Sequence, residues 1–233
     1  MISRREAMQG IATALLMPCW PAGRALAAGL GFAWDRVPTI TALGATDDPR
    51  QVLLRDAVTF WNQTLGELGS GFRLGAVAQQ EGSIPDDLIV ALSESTLNGM
   101  RSPFPEQLGS IPGDIVVALS DADFISFSRH WPTGRGLVAI KSIFSYPLTL
   151  PNVARNVIAH ELGHAIGLAH NSDPTMLMCG RPAPCRPMAF QSVTEHYFPL
   201  TGDEKALLLR LYPASWHTRE VMPANCGHRG CHR

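Results

Sequence analysis

Apolar residues along this chain fall into two kinds of run. Short, almost continuous ones occupy 37–44 (VPTITALG), 72–78 (FRLGAVA), 87–93 (DLIVALS), 114–120 (DIVVALS) and 136–144 (GLVAIKSIF). Runs of this length, rich in β-branched residues and bounded by breaker residues, predict strands. The likeness of DLIVALS to DIVVALS is what two buried strands made from the same residue types would show, and no longer period accompanies it. Other runs follow a wider spacing. Between 48 and 69, Val52, Leu53, Ala57, Phe60, Trp61, Thr64, Leu65 and Leu68 recur near a helical period, and Gly69 and Gly71 close the stretch. Between 150 and 168, Pro151 suits a first helical turn, and Val153, Val157, Ile158, Leu162 and Ile166 supply an apolar face. A last helix is predicted over 201–212, with Thr201 as its cap and Asp203 and Glu204 in its first turn. Strand, helix, several strands, helix, loop, helix, with no linker between them, reads as one α+β domain.

Composition narrows the class. A chain of 233 residues can bury one good core, and 45% apolar against 17% charged residues marks it as globular rather than disordered. A formal net charge of −1 leaves no electrostatic footprint for nucleic acid. The beginning has a different layout: Arg4 and Arg5, an apolar run from Ile11 to Trp20, and Ala-Leu-Ala ending at Ala27. That is the arrangement of an export signal, with an apolar run shorter than the ~20 residues of a permanent membrane span. The arginine pair in SRREAM resembles a twin-arginine signal, but Ala7 and Met8 stand where bulkier apolar residues are usual, so both export routes fit. The expected organisation is a signal over 1–27, a folded domain over 28–213 and a Cys/His-containing tail over 214–233. The expected product is a monomer exported to a bacterial periplasm or beyond, without a stable membrane anchor. Beyond the signal stand Cys179, Cys185, Cys226 and Cys231, an even set that favours disulfides, with the local pairs 179–185 and 226–231 as the first expectation among three connectivities.

The chemistry is concentrated in HELGHAIGLAH, residues 160–170. Residues four apart on a helix are neighbours on one face, so His160 and His164 can direct ring nitrogens at one ion. Gly167 permits a left-handed helix ending, and His170 can return from the turn as a third ligand. Three nitrogen ligands with an open fourth position suit a catalytic zinc rather than a closed structural one. Glu161, about 100° round the helix from His160, can reach a zinc-bound water and act as general base while the ion polarises a carbonyl.

HELGHAIGLAH followed by NSDPTMLMCG resembles the metzincin metallopeptidases, and within them the matrixin branch, the matrix-metalloproteinase type. The resemblance implies a metzincin-like α+β fold: a mixed twisted β-sheet, an active-site helix, a long helix before it and a C-terminal helix. It implies a methionine turn beneath the metal, for which Met178 has the matrixin spacing, and it places Asp173 at an aspartate common before that turn. LTGDEKALLLRLY resembles the family's last helix. The segment 179–200 then corresponds to the loop that walls the pocket after the cut bond, where Met188, Phe190, Tyr197 and Phe198 offer apolar lining or core packing. Gly180 stands where a tyrosine ligand would be in other branches. The implied cofactor is one catalytic Zn²⁺. A structural Ca²⁺ or second zinc is not supported, and Asp121, Asp123 and His130 read as a solvated loop. His217, His228 and His232 read as surface residues.

The function expected from all this is a zinc-dependent endopeptidase acting on polypeptides, with Glu161 as catalytic residue and His160, His164 and His170 as ligands. The alternatives are a catalytically weak or inactive metzincin-fold peptide-binding protein and a zinc amidohydrolase on a non-peptide amide. The presence of Glu161 favours an active enzyme.

Overall fold

Two faces of one sheet account for most of the apolar runs. In the computed structural model, which describes residues 30–218, strands β1 (Ile40–Leu43), β2 (Val77–Gln80), β3 (Ile115–Leu119), β4 (Phe127–Trp131) and β5 (Arg135–Ile140) form one sheet in the order β2-β1-β3-β5-β4. Four helices accompany it: α1 (Arg50–Glu67), α2 (Asp86–Leu97), α3 (Pro151–Ala165) and α4 (Gly202–Leu211). All pairings are parallel except that of β4, which runs antiparallel to β5 and forms one edge. The expected signal segment, Cys226, His228, Cys231 and His232 lie outside the described residues. Within the described residues no helix is long and apolar enough to cross a membrane.

Side chains of a strand alternate between faces, and here both faces are covered. Ile115, Val117, Val138 and Ile140 pack with Leu54 and Trp61 of α1 and with Val153, Ile158 and Leu162 of α3. Val116, Ala118, Leu137 and Ala139 join Ile89 and Leu92 of α2 and Trp131 of β4 on the other side. Every residue of β3 is therefore buried, which is why its sequence shows no polar alternation.

The run 87–93 is not a strand. It forms α2, despite sharing most residue types with β3. Pro85 and the acidic first-turn pair Asp86 and Asp87 start a helix, and only Ile89, Leu92 and Ser93 are buried, at helical spacing. One covered face makes a helix of the letters that two covered faces make a strand. Smaller corrections follow the same logic. The strand expected over 72–78 is confined to Val77–Gln80, the one over 136–144 ends at Ile140, and β4 with its Ser128, Arg129 and His130 was not expected at all. On α1 the buried face is Leu54, Ala57, Val58, Trp61 and Leu65, whereas Val52 is exposed. Thr201 caps α4 as expected, in a capping box with Glu204.

Two charged groups tie the frame together. Arg50, buried at the start of α1, donates to the carbonyls of Ser120 and Ile140 at 2.8 and 3.1 Å and pairs with Asp48 and Asp121, fixing the ends of β3 and β5 against α1. Asp114 accepts from Arg36 and from the amide and hydroxyl of Thr39. Burial pushes its carboxyl up, but these donors, with the Arg36 charge, hold it below the usual range. A carboxylate held low in the fold adds stability above its unfolded value of about 3.9 and loses it as the pH falls through the folded value. Asp114→Asn is therefore expected to lower the melting temperature at pH 7, with the gap from the parent closing as the pH is brought towards ~3. A gap that stays constant across that range would exclude the linkage.

Candidate metal centre

Helix α3 carries the first two histidines and ends where the third needs the chain to turn. Gly167 takes φ 99°, its amide donates to the His164 carbonyl at 3.0 Å, and the Leu168 amide donates to the Gly163 carbonyl at 3.1 Å. This is the Schellman pattern, closed by a left-handed glycine with buried Leu168 beyond it. A side chain at Gly167 would also meet the Phe32 carbonyl. The chain leaves the helix sharply, and His170 comes back over it.

The three rings converge. Nε2 of His164 lies 3.1 Å from Nε2 of His160 and 3.0 Å from that of His170, and the remaining pair is 3.2 Å apart. Each ring turns its other nitrogen to a carbonyl at 2.7 Å: Leu177 for His160, Leu168 for His164 and Arg181 for His170. A carbonyl can only accept, so each Nδ1 donates and each Nε2 presents a lone pair inward. Burial holds His160 down at about 4, with the neighbouring His170 lowering it further against the Leu177 hydrogen bond; burial, with His160 and His170 beside it, also holds His164 well below the usual imidazole range. His170 is lowered by burial as well. All three rings are neutral at pH 7, and three lone pairs aimed at one point lack any donor among themselves. Four nitrogens or oxygens around a tetrahedral zinc at 2.0–2.1 Å stand ~3.3 Å apart, close to the spacing found. The donor set fits one zinc ion, with a fourth position free. Among the described residues no other group of His, Cys, Asp and Glu side chains converges in this way.

Glu161 lies beside this point and lines the same cleft as His160 and His170. Burial pushes its carboxyl up to about 8, so without a neighbouring cation it holds a proton near neutrality. The cleft encloses about 310 Å³, with Leu148, Val157, Pro187 and Phe190 among its apolar lining. Phe124, Ile125 and Ser126, which lead into the edge strand β4, also line it.

Met178 is fully buried with its thioether against Gly163: a Cβ on that glycine would lie 2.5 Å from the Met178 sulfur and 2.9 Å from Trp61. The helix thus needs a glycine one residue before the second ligand. Gly180 has a comparable role at the third, since any Cβ there would overlap the His170 ring. Gly180→Ala is expected to displace that ring and weaken zinc binding by at least ~10-fold, within the range for partners that orient ligands. Competition against a chelating dye measures this, and an unchanged affinity would rule out the packing role.

Other sequence candidates resolve as ordinary structure. Asp121 pairs with Arg50 and Asp123 with Lys141, while His130 sits on β4, not in a loop, with its ring stacked 3.8 Å from that of Phe32. Asp173 is exposed and accepts from the Thr175 amide and hydroxyl in a turn. His217 is exposed. Of the four apolar residues proposed for the pocket, only Phe190 lines the cleft; Tyr197 stacks on Phe60 of α1, and Phe198 packs on Phe190 and the core.

The residues that hold the loop were not singled out beforehand. Asn152 and Asn156, one turn apart on α3, are buried and clamp the loop backbone. Asn152 donates to the Phe190 carbonyl and accepts from the His196 amide, both at 2.8 Å. Asn156 donates to the His196 carbonyl and accepts from the Phe198 amide, also at 2.8 Å. Two asparagines four apart, flanked by Val153, Ala154 and Val157 in the first half of α3, were the available signal. Glu204, 1% exposed, similarly binds α4 to the segment after His170 by accepting from Asn171 at 2.7 Å.

No family model matches the sequence, and no curated protein matches it. The crystal structure of archaemetzincin from Methanopyrus kandleri is similar with a TM-score of 0.47 and 17% identity, over 78% of this chain and 98% of that one.

Proposed function

We propose that the protein is a zinc-dependent peptidase of the metzincin type, cutting peptide bonds within polypeptides. One observation carries the reading: three neutral imidazoles, each braced by a carbonyl, present Nε2 atoms 3.0–3.2 Å apart beside a buried carboxyl group at the wall of an open cleft. His160, His164 and His170 would hold the ion. Zinc bound there supplies a Lewis acid that acidifies water and polarises a carbonyl. Glu161 takes the proton of the attacking water on its carboxylate and passes it to the departing amine. The edge strand β4 supports backbone pairing with an extended substrate, and the apolar lining supports a preference for an apolar residue next to the cut bond. The packing of Met178 against Gly163 supports the metzincin reading, and its spacing after His170 favours the matrixin branch. The arginine pair near the start and the Cys179–Cys185 bond favour an exported protein, since disulfides persist in oxidising compartments.

Profiling cleavage of a mixed peptide pool with purified protein tests this. Cuts that vanish with chelator, return with zinc and carry an apolar residue beside the scissile bond are expected. A zinc-loaded protein that cuts nothing in the pool would reject the peptidase reading.

A further inference from the structure

The third ligand is held differently from the other two. His160 and His164 are buried on one helix, whereas His170 stands on a loop and is the most exposed of the three. Both contacts that orient its ring come from one short covalent ring, the segment closed by the Cys179–Cys185 bond. Gly180 lies flush against the imidazole, and the Arg181 carbonyl accepts from Nδ1 at 2.7 Å. The upstream side of this segment is also pinned by backbone bonds, from the Asn171 amide to the Met178 carbonyl at 2.8 Å and from the Gly180 amide to the Asn171 carbonyl at 3.2 Å. Downstream of Arg181 the chain is mostly exposed, with Pro182 and Pro184 contributing no amide donors, until the disulfide returns it to the core at Cys185.

We propose that the Cys179–Cys185 disulfide is a positioning element for the third metal ligand, so that the metal affinity of the centre depends on the redox state of this bond. The argument is geometric. Removing the covalent closure leaves the Arg181 carbonyl on a segment whose next tie downstream is the Asn152 bond to the Phe190 carbonyl, nine residues on, and the Arg181 carbonyl is what fixes the tautomer and direction of His170. Outer partners of metal-bound histidines are typically worth ~10–100-fold in metal affinity. The other two ligands are braced by Leu168 and Leu177, outside the ring, and would keep their orientation. A reduced protein is therefore expected to stay folded and hold zinc more weakly, with all three histidines present but His170 no longer fixed in direction.

The test uses the folded chain and reads zinc, not catalysis. A water-soluble phosphine cleaves the bond: phosphorus attacks one sulfur, the S–S bond breaks, and one water supplies the oxygen of the phosphine oxide and the two protons of the thiols. Zinc dissociation constants are measured by competition with a chelating dye for the oxidised chain, the reduced chain (thiols verified by mass after alkylation of a sample) and C179S/C185S. The expected result is a ~10–100-fold weakening on reduction, reversal on re-oxidation, and a variant that binds like the reduced chain and does not respond to phosphine. Equal affinities for oxidised and reduced chains overturn the proposal, even if reduction lowers the melting temperature. Should the variant fail to fold, the reduction and re-oxidation arm decides alone. The inference rests on the zinc-site part of the functional reading. An oxidised chain that binds zinc but cuts no peptide defeats the peptidase assignment and leaves this proposal standing, while zinc uptake in neither state defeats both.

Discussion

Glu161→Gln is expected to bind zinc as the parent does and to lose at least ~10²-fold in kcat/KM, the usual worth of a positioned general base. The glutamine keeps the shape of the side chain and the packing of α3 but cannot accept a proton. Glu161 lies one position after His160, and its carboxyl lines the same cleft as His160 and His170. Burial alone raises its carboxyl, to about 8. A group so poised ionises readily once a dication stands beside it, because the charge offsets the desolvation that otherwise keeps it neutral. Zinc content by elemental analysis separates the two possible failures. A variant that retains metal and loses rate has lost the base, and one that retains both would remove Glu161 from the chemistry.

The second large effect concerns the ion itself. The oxidised protein is expected to contain one zinc per chain, and a strong chelator should abolish peptide cleavage, with activity restored by added zinc. His164→Ala should reduce zinc affinity by more than the ~10–100-fold attributed to outer partners, because it removes one of three rings whose Nε2 atoms stand 3.0–3.2 Å from one another. Two remaining imidazoles cannot complete the three-ligand frame of a catalytic site. The substitution also leaves the Leu168 carbonyl without its donor at 2.7 Å, a modest cost in stability beside the loss of metal. Parent-like zinc content in His164→Ala would show that the ion is held elsewhere.

Reading the chain alone went furthest where local rules decide the outcome. The spacing of His160, His164, Gly167 and His170 is a statement about helix pitch and one left-handed residue, and both are properties of neighbours in sequence. Thr201 with Glu204 is another such case, since a capping box closes within four residues. The Cys179–Cys185 bond, too, joins near neighbours. DLIVALS and DIVVALS show where local rules stop. Their letters support either element, and the choice fell to how many of their faces the rest of the protein could cover: one for α2, two for β3. The edge strand β4 escaped notice because its middle residues are only half-buried, so no apolar run marks it.

By itself, then, the sequence determined which three histidines converge, the glutamate beside them, the helix that carries them and an α+β arrangement, because each depends on contacts within a few residues of the chain. Tertiary structure alone decided the order of the strands and the carbonyls of Leu177 and Arg181 that brace His160 and His170. It alone also decided the demand for glycine at 163 and 180, and the asparagine clamp from α3 to the loop. Those features come from segments that meet only after folding, where close packing leaves room for one atom or none; even the asparagine pair on α3 does not say along the chain what it will hold.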